Sequence, residues 1–308
     1  MVNQMLPDGL WPVMLTPYKS NGSIDFSALA QLIEFYLQNG ASGLFANCLS
    51  SEMYHLNQNE RVKLIQFVVN QVNGHVPVVA SGTFGKNTEA QIENMKLIEN
   101  LGVEAVVVII SQIVLPTEND EILKNRLDRI MDETQSMRLG LYECPKPYKR
   151  LISPDLLGYL AVSGRFLYHK DTSCDTEEIR IKLKHIKNTP LGLFNANTPT
   201  ALDSLVEGGK GISPISANFY PELFSLLCRL TASTKKYQEA VQLQNNLSVM
   251  DAVTRIKYPL SAKMFLNRRG LKMNINNRIY IPPLSFEEKK ILDALYEQYK
   301  SLVIKFNQ

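Results

Sequence analysis

The chain has few cysteines and few histidines, and each shortage argues against a class of protein. Its 308 residues include four cysteines, at positions 48, 144, 174 and 228, and no CxxC pair. Scattered cysteines of this kind are typical of reduced thiols in a cytoplasmic protein rather than of a disulfide framework. The four histidines show no metal-ligand spacing, so the sequence indicates no metal site.

Long apolar stretches and an excess of one charge are also missing. The apolar run 106–110 has only the length of a strand, and no segment is predicted to span a membrane. The first residues lack the charged and apolar regions of a signal peptide. Lys and Arg number 33 against 30 Asp and Glu, without a basic block, which argues against nucleic acid or an anionic membrane as partner. We therefore expect a cytoplasmic protein that acts on a small molecule.

What the sequence does contain is an alternation of short β-like runs and amphipathic helical segments. The run 105–110 is nearly all Val and Ile, the pattern of a strand buried on both faces. Asn57, with Glu60 three residues later, predicts the start of a helix through a capping box. Strands are predicted to end near residues 16, 46, 81, 110, 142, 170, 195 and 213. Eight such units in about 220 residues predict a closed (β/α)8 barrel.

The rest of the chain has only helical pattern. We predict that residues 1–218 form the barrel through strand eight. Residues 219–308 are predicted to form the eighth barrel helix and a C-terminal helical subdomain. The Pro- and Asn-rich piece 274–283 is predicted to be a linker before the last helix. Catalytic residues of such barrels lie at the carboxyl ends of the strands, so we look for the site there.

Two successive predicted strands end in residues suited to carbonyl chemistry. The aromatic and aliphatic run from Phe166 reaches Lys170, and the strand before it ends at Tyr142. Parallel neighbours would bring both side chains to the same rim of the sheet. A lysine with a phenol nearby can form an imine with a carbonyl substrate. On local sequence alone, a surface lysine that caps a strand explains Lys170 at least as well.

Hydroxyl residues near two further strand ends complete the predicted rim. Ser50 and Ser51 follow the second strand, where their Oγ atoms and N–H groups can present donors to a carboxylate. A plain turn also explains this pair. Ile212 and Ser213 lie at the end of strand eight. We assign all four residues to substrate binding.

Together these motifs resemble the dihydrodipicolinate synthase / N-acetylneuraminate lyase family of class I aldolases. The resemblance runs in the same order over about residues 9–270. The matching pieces are Leu15-Thr16-Pro17-Tyr18, Cys48–Glu52 with Leu56, Tyr142–Pro145, Lys170-Asp171, Thr200–Asp203 and Gly208–Gly211.

The resemblance implies a mechanism and an assembly. Lys170 would form a Schiff base with an α-keto acid such as pyruvate, and no metal or organic cofactor would be needed. Tyr142, hydrogen-bonded towards Ser50, would move protons during the reaction. The backbone around Ser50 and Ser51 would hold the carboxylate of the keto acid. The protein would be a homotetramer, built as a dimer of dimers.

The chain departs from the family where the proton relay is completed and the second substrate is recognised. Leu49 stands where the family usually has a hydroxyl residue, and Ile113 where the synthases lend a tyrosine across a subunit interface. Pro147 occupies the position of an arginine that binds a substrate carboxylate. Asn197 and Thr198 replace acidic residues with which the sialate lyases bind a polyol. The resemblance therefore covers the residues that would form the imine, and not those that would recognise the second substrate.

Three functions remain open on the same barrel. The first is a lyase or aldolase that acts on an α-keto acid through a Lys170 imine, with an unknown second substrate. A Schiff-base dehydratase of a sugar acid would use the same imine. The interrupted relay instead favours a keto-acid binding or regulatory protein that has lost catalysis, and fold alone does not decide between them. Formation of a reducible adduct at Lys170 separates the first two from the third.

Overall fold

One parallel sheet organises the chain. The structure, a computed structural model, describes residues 5–306. In that range eight parallel strands are neighbours in the order β1-β8-β7-β6-β5-β4-β3-β2. They are β1 Gly9–Leu10, β2 Leu44–Ala46, β3 Val78–Ser81, β4 Ala105–Ile109, β5 Leu139–Tyr142, β6 Phe166–Asp171, β7 Gly192–Asn195 and β8 Gly211–Ile212. Every residue in these strands is buried, as expected for a sheet that is covered on both faces.

The two edges of the curled sheet are linked, in the arrangement of a (β/α)8 barrel. Leu10 bridges Ala41 and Val13 bridges Phe45, both in parallel. The prediction of a first strand over 10–16 is wrong in length, since regular pairing covers only Gly9–Leu10. Pro12 has no N–H to donate, which interrupts the ladder at that point. The eight carboxyl ends therefore share one rim.

Helices follow the strands, as the periodicity predicts. They are α1 Phe26–Gln38, α2 Gln58–Val72, α3 Thr88–Glu99, α4 Ile110–Ile113, α5 Asp120–Thr134, α6 Pro154–Val162, α7 Thr176–His185, α8 Ala201–Val206, α9 Pro221–Thr231, α10 Tyr237–Thr254, α11 Leu260–Arg268 and α12 Phe286–Phe306. The predicted capping box is confirmed, because Asn57 Oδ1 accepts from the Glu60 N–H and Glu60 Oε2 from the Asn57 N–H, each at 3.0 Å. None of the helices in residues 5–306 has both the length and the apolarity to cross a membrane.

The segment after β8 reaches back to the rim. The N–H groups of Arg278 and Ile279 donate to Glu52 Oε2, at 2.6 and 2.9 Å. Arg278 also forms an ion pair with Glu60. The predicted linker 274–283 is irregular, as expected, but these contacts hold it over the turn that follows β2. The C-terminal segment therefore takes part in shaping the rim.

Candidate active site

A cavity of about 660 Å³ opens at the carboxyl ends of the strands. Its walls come from the segments after β2, β5, β6, β7 and β8, from the chain between α10 and α11, and from Ile279 before α12. The size is that of a site for a small molecule. Lys170, Tyr142 and Ser50 all line it, so the structure brings together the three residues predicted to be catalytic.

Lys170 and Tyr142 are direct partners across β5 and β6. Lys170 Nζ lies 4.8 Å from the centroid of the Tyr142 ring and 5.7 Å from that of Phe45. The lysine is only 3% exposed, and none of the ion pairs in residues 5–306 involves it. The amine is thus held against aromatic faces, without a carboxylate to keep it charged.

This environment changes the proton affinity of both groups. Burial lowers the pKa of Lys170 from 10.5 to about 8, although the thiols of Cys48 and Cys144 oppose the shift. Burial raises the pKa of Tyr142 well above its ordinary value, so the phenol keeps its proton at neutral pH. The pair offers an amine that is readily neutral and a buried proton donor, which imine formation requires.

The turn after β2 uses its two serines differently. Residues Leu49–Ser51 form a single 3-10 turn, in which Ser50 lines the cavity. The Ser51 hydroxyl donates to the Met14 carbonyl at 2.7 Å and accepts from the Cys48 N–H at 3.1 Å. Ser51 is fully buried and lies outside the cavity lining. Its hydroxyl fastens the turn to the barrel, and its assignment to substrate binding stays a prediction.

The predicted hydrogen bond between Tyr142 and Ser50 is not among the contacts of residues 5–306. Tyr258, between α10 and α11, lines the cavity together with Ser50. Tyr54 also lines the cavity, with its Oη 4.0 Å from the Cys144 sulfur. Sequence reasoning missed the two further phenols that line the cavity, and no local pattern marks either of them.

The two predicted binding residues of strand eight lie outside the cavity lining. Ile212 and Ser213 are both fully buried. The Ser213 hydroxyl donates to the Trp11 carbonyl at 2.7 Å and accepts from the Tyr168 hydroxyl at 3.0 Å. These bonds place the Ser213 hydroxyl in the interior of the barrel, and a role of either residue in substrate binding stays a prediction.

Positive charge predominates at the mouth of the cavity. Lys146 and Lys149 follow β5, Arg255 follows α10, and all three are exposed and line the cavity. Arg255 also pairs with Asp251 at 2.7 Å. Asn197, from the loop after β7, adds an amide whose nitrogen donates to Thr200 Oγ1 at 3.1 Å. An anionic group would be attracted to this mouth.

A cluster of buried charges lies directly behind the two catalytic candidates. Lys182 Nζ, on α7, is 2.7 Å from Glu143 Oε1 and 2.7 Å from Asp171 Oδ2. All three side chains are fully buried, and none lines the cavity. Glu143 follows Tyr142 in the chain, and Asp171 follows Lys170. The ion triad Glu143-Asp171-Lys182 therefore ties α7 to β5 and β6 where the site residues emerge.

The same cluster has the spacing of a metal site. Ligand atoms of Glu143, His169 and Asp171 lie within 4.8 Å of one another. The Lys182 ammonium lies between the two carboxylates, however, and supplies the positive charge. Burial opposes its ionisation, but the two carboxylates raise the pKa of Lys182. Burial lowers the pKa of His169 to about 3, so this histidine is neutral. The two carboxylates are thus paired with a lysine ammonium rather than arranged around an open metal position.

Replacing Lys182 with methionine should destabilise the fold strongly. The two carboxylates would lose their buried cation, which costs about 3–5 kcal/mol in comparable pairs. Chemical unfolding measures the change in the free energy of unfolding. Lys184→Met is the matched control, because Lys184 lies on the same helix and is exposed, and it should change stability by no more than about 0.5 kcal/mol. Equal stability of the two variants would contradict the ion triad.

Comparison with known sequences gives one family. A model described as the dihydrodipicolinate synthetase family matches residues 6–299. A 4-hydroxy-tetrahydrodipicolinate synthase of Bacillus velezensis is 26% identical over 287 residues, which are 92% of this chain and 96% of that one. The enzyme of the same name from Bacillus subtilis is 27% identical over 284 residues, 91% of this chain and 95% of that one.

Solved structures give the same fold. A dihydrodipicolinate synthase from Bacillus anthracis matches with a TM-score of 0.86 at 22% identity, covering 96% of this chain and 99% of that one. A prophage protein of the dihydrodipicolinic acid synthase family from Escherichia coli, solved in complex with pyruvate, matches with a TM-score of 0.85 at 22% identity, covering 95% and 98%.

Proposed function

This chain belongs to the dihydrodipicolinate synthetase family, and from that membership we propose that it is a lyase acting on a pyruvate-type α-keto acid through a Schiff base at Lys170. One observation carries the proposal. Lys170 is a buried amine with a pKa lowered to about 8, on the wall of a cavity and paired across strands with Tyr142. A surface lysine that merely caps a strand would be hydrated and would keep its ordinary pKa.

The first steps need only these two side chains. The neutral Lys170 amine attacks the ketone carbon and forms a carbinolamine. Tyr142 gives its phenolic proton to the carbinolamine hydroxyl, which leaves as water and generates the iminium. The resulting phenolate can take a proton from the carbon next to the iminium, which gives an enamine and restores the phenol. The enamine carbon then adds to the aldehyde carbon, which restores the iminium, and the aldehyde oxygen takes the phenolic proton of Tyr142. Water hydrolyses the iminium and frees Lys170, and the reverse sequence cleaves the same carbon–carbon bond.

The turn after β2 has donors for the carboxylate of the keto acid. The N–H groups of Leu49 and Ser50 find no backbone acceptor in residues 5–306. Both residues line the cavity, and Ser50 adds its hydroxyl. Two N–H groups and a hydroxyl suit a carboxylate. The missing hydroxyl of Leu49 leaves this contact unaffected, because the backbone N–H makes it.

The mouth of the cavity favours a second substrate that carries negative charge. Lys146, Lys149 and Arg255 line it, and an anionic aldehyde would be drawn to them. Pro147 has no donor where the synthases have an arginine, so the anion would be held by flexible lysines rather than by a guanidinium fork.

Borohydride trapping tests the proposal. Incubation with pyruvate and borohydride should add one reduced pyruvate to the intact mass, and peptide mapping should place it on Lys170. Lys263 is an internal control, because it is fully buried with a pKa lowered to about 8 but lies outside the cavity lining. A protein that stays unlabelled by every α-keto acid tried does not work through this imine.

A further inference from the structure

Backbone pairing between β5 and β6 weakens at the two residues that the reaction would use. Tyr142 and Lys170 are the last partners of this ladder. The next backbone contact, from the Glu143 N–H to the Lys170 carbonyl, measures 3.4 Å, which is longer than the ordinary range of about 2.7–3.2 Å. Side chains therefore have to hold this end of the two strands together.

Glu143 makes up for the weak backbone contact. Its Oε2 accepts from the Thr172 N–H at 2.9 Å, and its carbonyl accepts from the Thr172 hydroxyl at 2.7 Å. Its Oε1 accepts from the Ile152 N–H at 3.0 Å and from Lys182 Nζ at 2.7 Å. Thr172 lines the cavity, so Glu143 fixes part of the cavity wall to the end of β5.

Asp171 holds the same loop at the next residue. Its Oδ1 accepts from the N–H and from the hydroxyl of Ser173, at 3.0 and 2.7 Å, and its Oδ2 accepts from Lys182 Nζ at 2.7 Å. Oxygen atoms of Glu143 and Asp171 lie within 4.8 Å of each other. Two buried carboxylates this close repel each other, so both keep these bonds only while the ammonium lies between them.

The ion triad thus has a place in the reaction as well as in the fold. We propose that Lys182 is a positioning residue, which keeps Tyr142 beside Lys170 and the loop after β6 against the cavity by holding Glu143 and Asp171 together. The inference rests on the proposed function, since it assigns Lys182 an effect on imine formation. That effect should fall on the rate at saturating keto acid and not on the affinity, because the carboxylate is assigned to the turn after β2.

Lys182→Met tests the inference, at a temperature at which circular dichroism shows the variant to be folded. A misplacement of about 1 Å between reacting groups can cost about a hundredfold in rate. Borohydride trapping at saturating pyruvate, sampled over time, should therefore be about a hundredfold slower than in the wild type. The pyruvate concentration that gives half-maximal trapping should stay at the wild-type value.

The pH profile is a second readout, which a loss of stability alone would not move. The groups that face the Lys170 amine are the rings of Tyr142 and Phe45 and the thiols of Cys48 and Cys144. When the end of β6 is released, water reaches the amine, and the midpoint of trapping at low pyruvate should rise from about pH 8 toward about pH 10. Methylation of Lys170 by formaldehyde and cyanoborohydride, mapped by mass, reads the same midpoint without a keto acid.

The matched control is Ile179→Ala. Ile179 is fully buried on α7, the helix that carries Lys182. Its truncation removes core packing and so destabilises the fold, but it leaves the three charges in place. Folded Ile179→Ala protein should keep the wild-type trapping rate and the wild-type midpoint.

Asp171→Ala is a second test variant, which decides the question if Lys182→Met does not fold. It leaves Glu143 and Lys182 as a balanced pair, so no buried charge is uncompensated. It removes the acceptor of Ser173 and the tie between β6 and α7. Trapping at saturating pyruvate should slow by a factor similar to that of Lys182→Met, again without a change in affinity.

The outcomes separate this inference from the function on which it rests. A wild-type rate and midpoint in folded Lys182→Met or Asp171→Ala would overturn the inference and leave the Schiff base standing, and so would an equal loss of rate in Ile179→Ala. A wild type that no α-keto acid labels would overturn the proposed function. The methylation midpoint then decides the placement of Lys170 alone: a raised midpoint in Lys182→Met supports it, and an unchanged midpoint overturns it as well.

Discussion

Lys170→Ala should abolish the borohydride-dependent adduct with pyruvate, and with it all turnover that passes through the imine. The adduct is a covalent bond between the substrate carbon and the Lys170 nitrogen, and no neighbouring group can replace that nitrogen. Lys263 and Lys182 are also buried, but the first donates to the Asn276 carbonyl at 2.5 Å and the second lies in the ion triad. Neither amine lines the cavity.

The pH dependence of trapping adds a second expectation for Lys170. Only the neutral amine attacks a carbonyl, and its share increases as the pH rises through the pKa. With a pKa of about 8, the trapping rate at low pyruvate should climb up to pH 8 and then level off. A hydrated lysine would keep gaining neutral amine up to about pH 10. At pH 7 the buried amine is neutral in about one molecule in ten, against one in several thousand for the hydrated one.

Two controls make the loss in Lys170→Ala interpretable. Lys170→Met keeps most of the side-chain volume and should also give no adduct, which excludes a collapsed cavity as the cause. Lys149→Ala removes an exposed lysine from the mouth of the same cavity and should still be trapped at one site. An adduct that persists in Lys170→Ala and disappears in Lys149→Ala would show that Lys149, at the mouth of the cavity, forms the imine.

The central pair of the site was predictable from the sequence, because it depends on the order of the chain alone. Lys170 and Tyr142 each end a short apolar run, and successive strands of a parallel barrel are neighbours. The structure shows them as direct partners across β5 and β6. The alternation of strands and helices predicted the fold for the same reason, since each helix returns the chain to the same end of the sheet.

The roles of the hydroxyl residues could not be predicted in this way. Ser50 and Ser51 are identical in the sequence, and only the 3-10 turn decides which one faces the cavity and which one faces Met14. Tyr258 lies 208 residues after Ser50 and joins it in the cavity lining through the packing of the C-terminal helices. Long-range partners of this kind leave no periodic signal.

The ion triad shows a different limit to what the sequence predicts. Lys182 lies in a helix rich in charge, where a lysine usually faces water. It is fully buried because Glu143 and Asp171, which directly follow the two catalytic candidates, point away from the cavity. Alternation along a strand predicts that they face the opposite side from Tyr142 and Lys170. The sequence does not indicate that one lysine would meet both carboxylates.

Tyr142→Phe should slow turnover by roughly 10²–10⁴-fold, the range for a positioned acid or base. The phenylalanine keeps the ring that packs against Phe45, with centroids 5.5 Å apart, and removes only the proton donor. Loss of water from the carbinolamine would then depend on solvent protons in a buried site. Binding of the keto acid should change little, since its carboxylate is assigned to the turn after β2.

The measurement has to separate the rate from the affinity. Trapping by borohydride at saturating pyruvate, sampled over time, gives the rate of imine formation, and the concentration dependence gives the affinity. Tyr168→Phe is the matched control. Tyr168 is a buried phenol in β6 whose hydroxyl donates to Ser213 at 3.0 Å, and it does not line the cavity. Its loss should leave both quantities close to those of the wild type.

A wild-type rate in Tyr142→Phe would mean that the proton comes from another group in the cavity. The Cys144 thiol, with Tyr54 Oη 4.0 Å from its sulfur, is the donor that such a result would favour. The variant Cys144→Ala then decides between the two, because it removes the thiol while leaving the Tyr142 phenol in place. If Tyr142 is the acid, Cys144→Ala should retain most of the rate, since burial alone is the largest cause of the raised pKa of Tyr142. If the thiol is the acid, the rate should fall in Cys144→Ala and not in Tyr142→Phe.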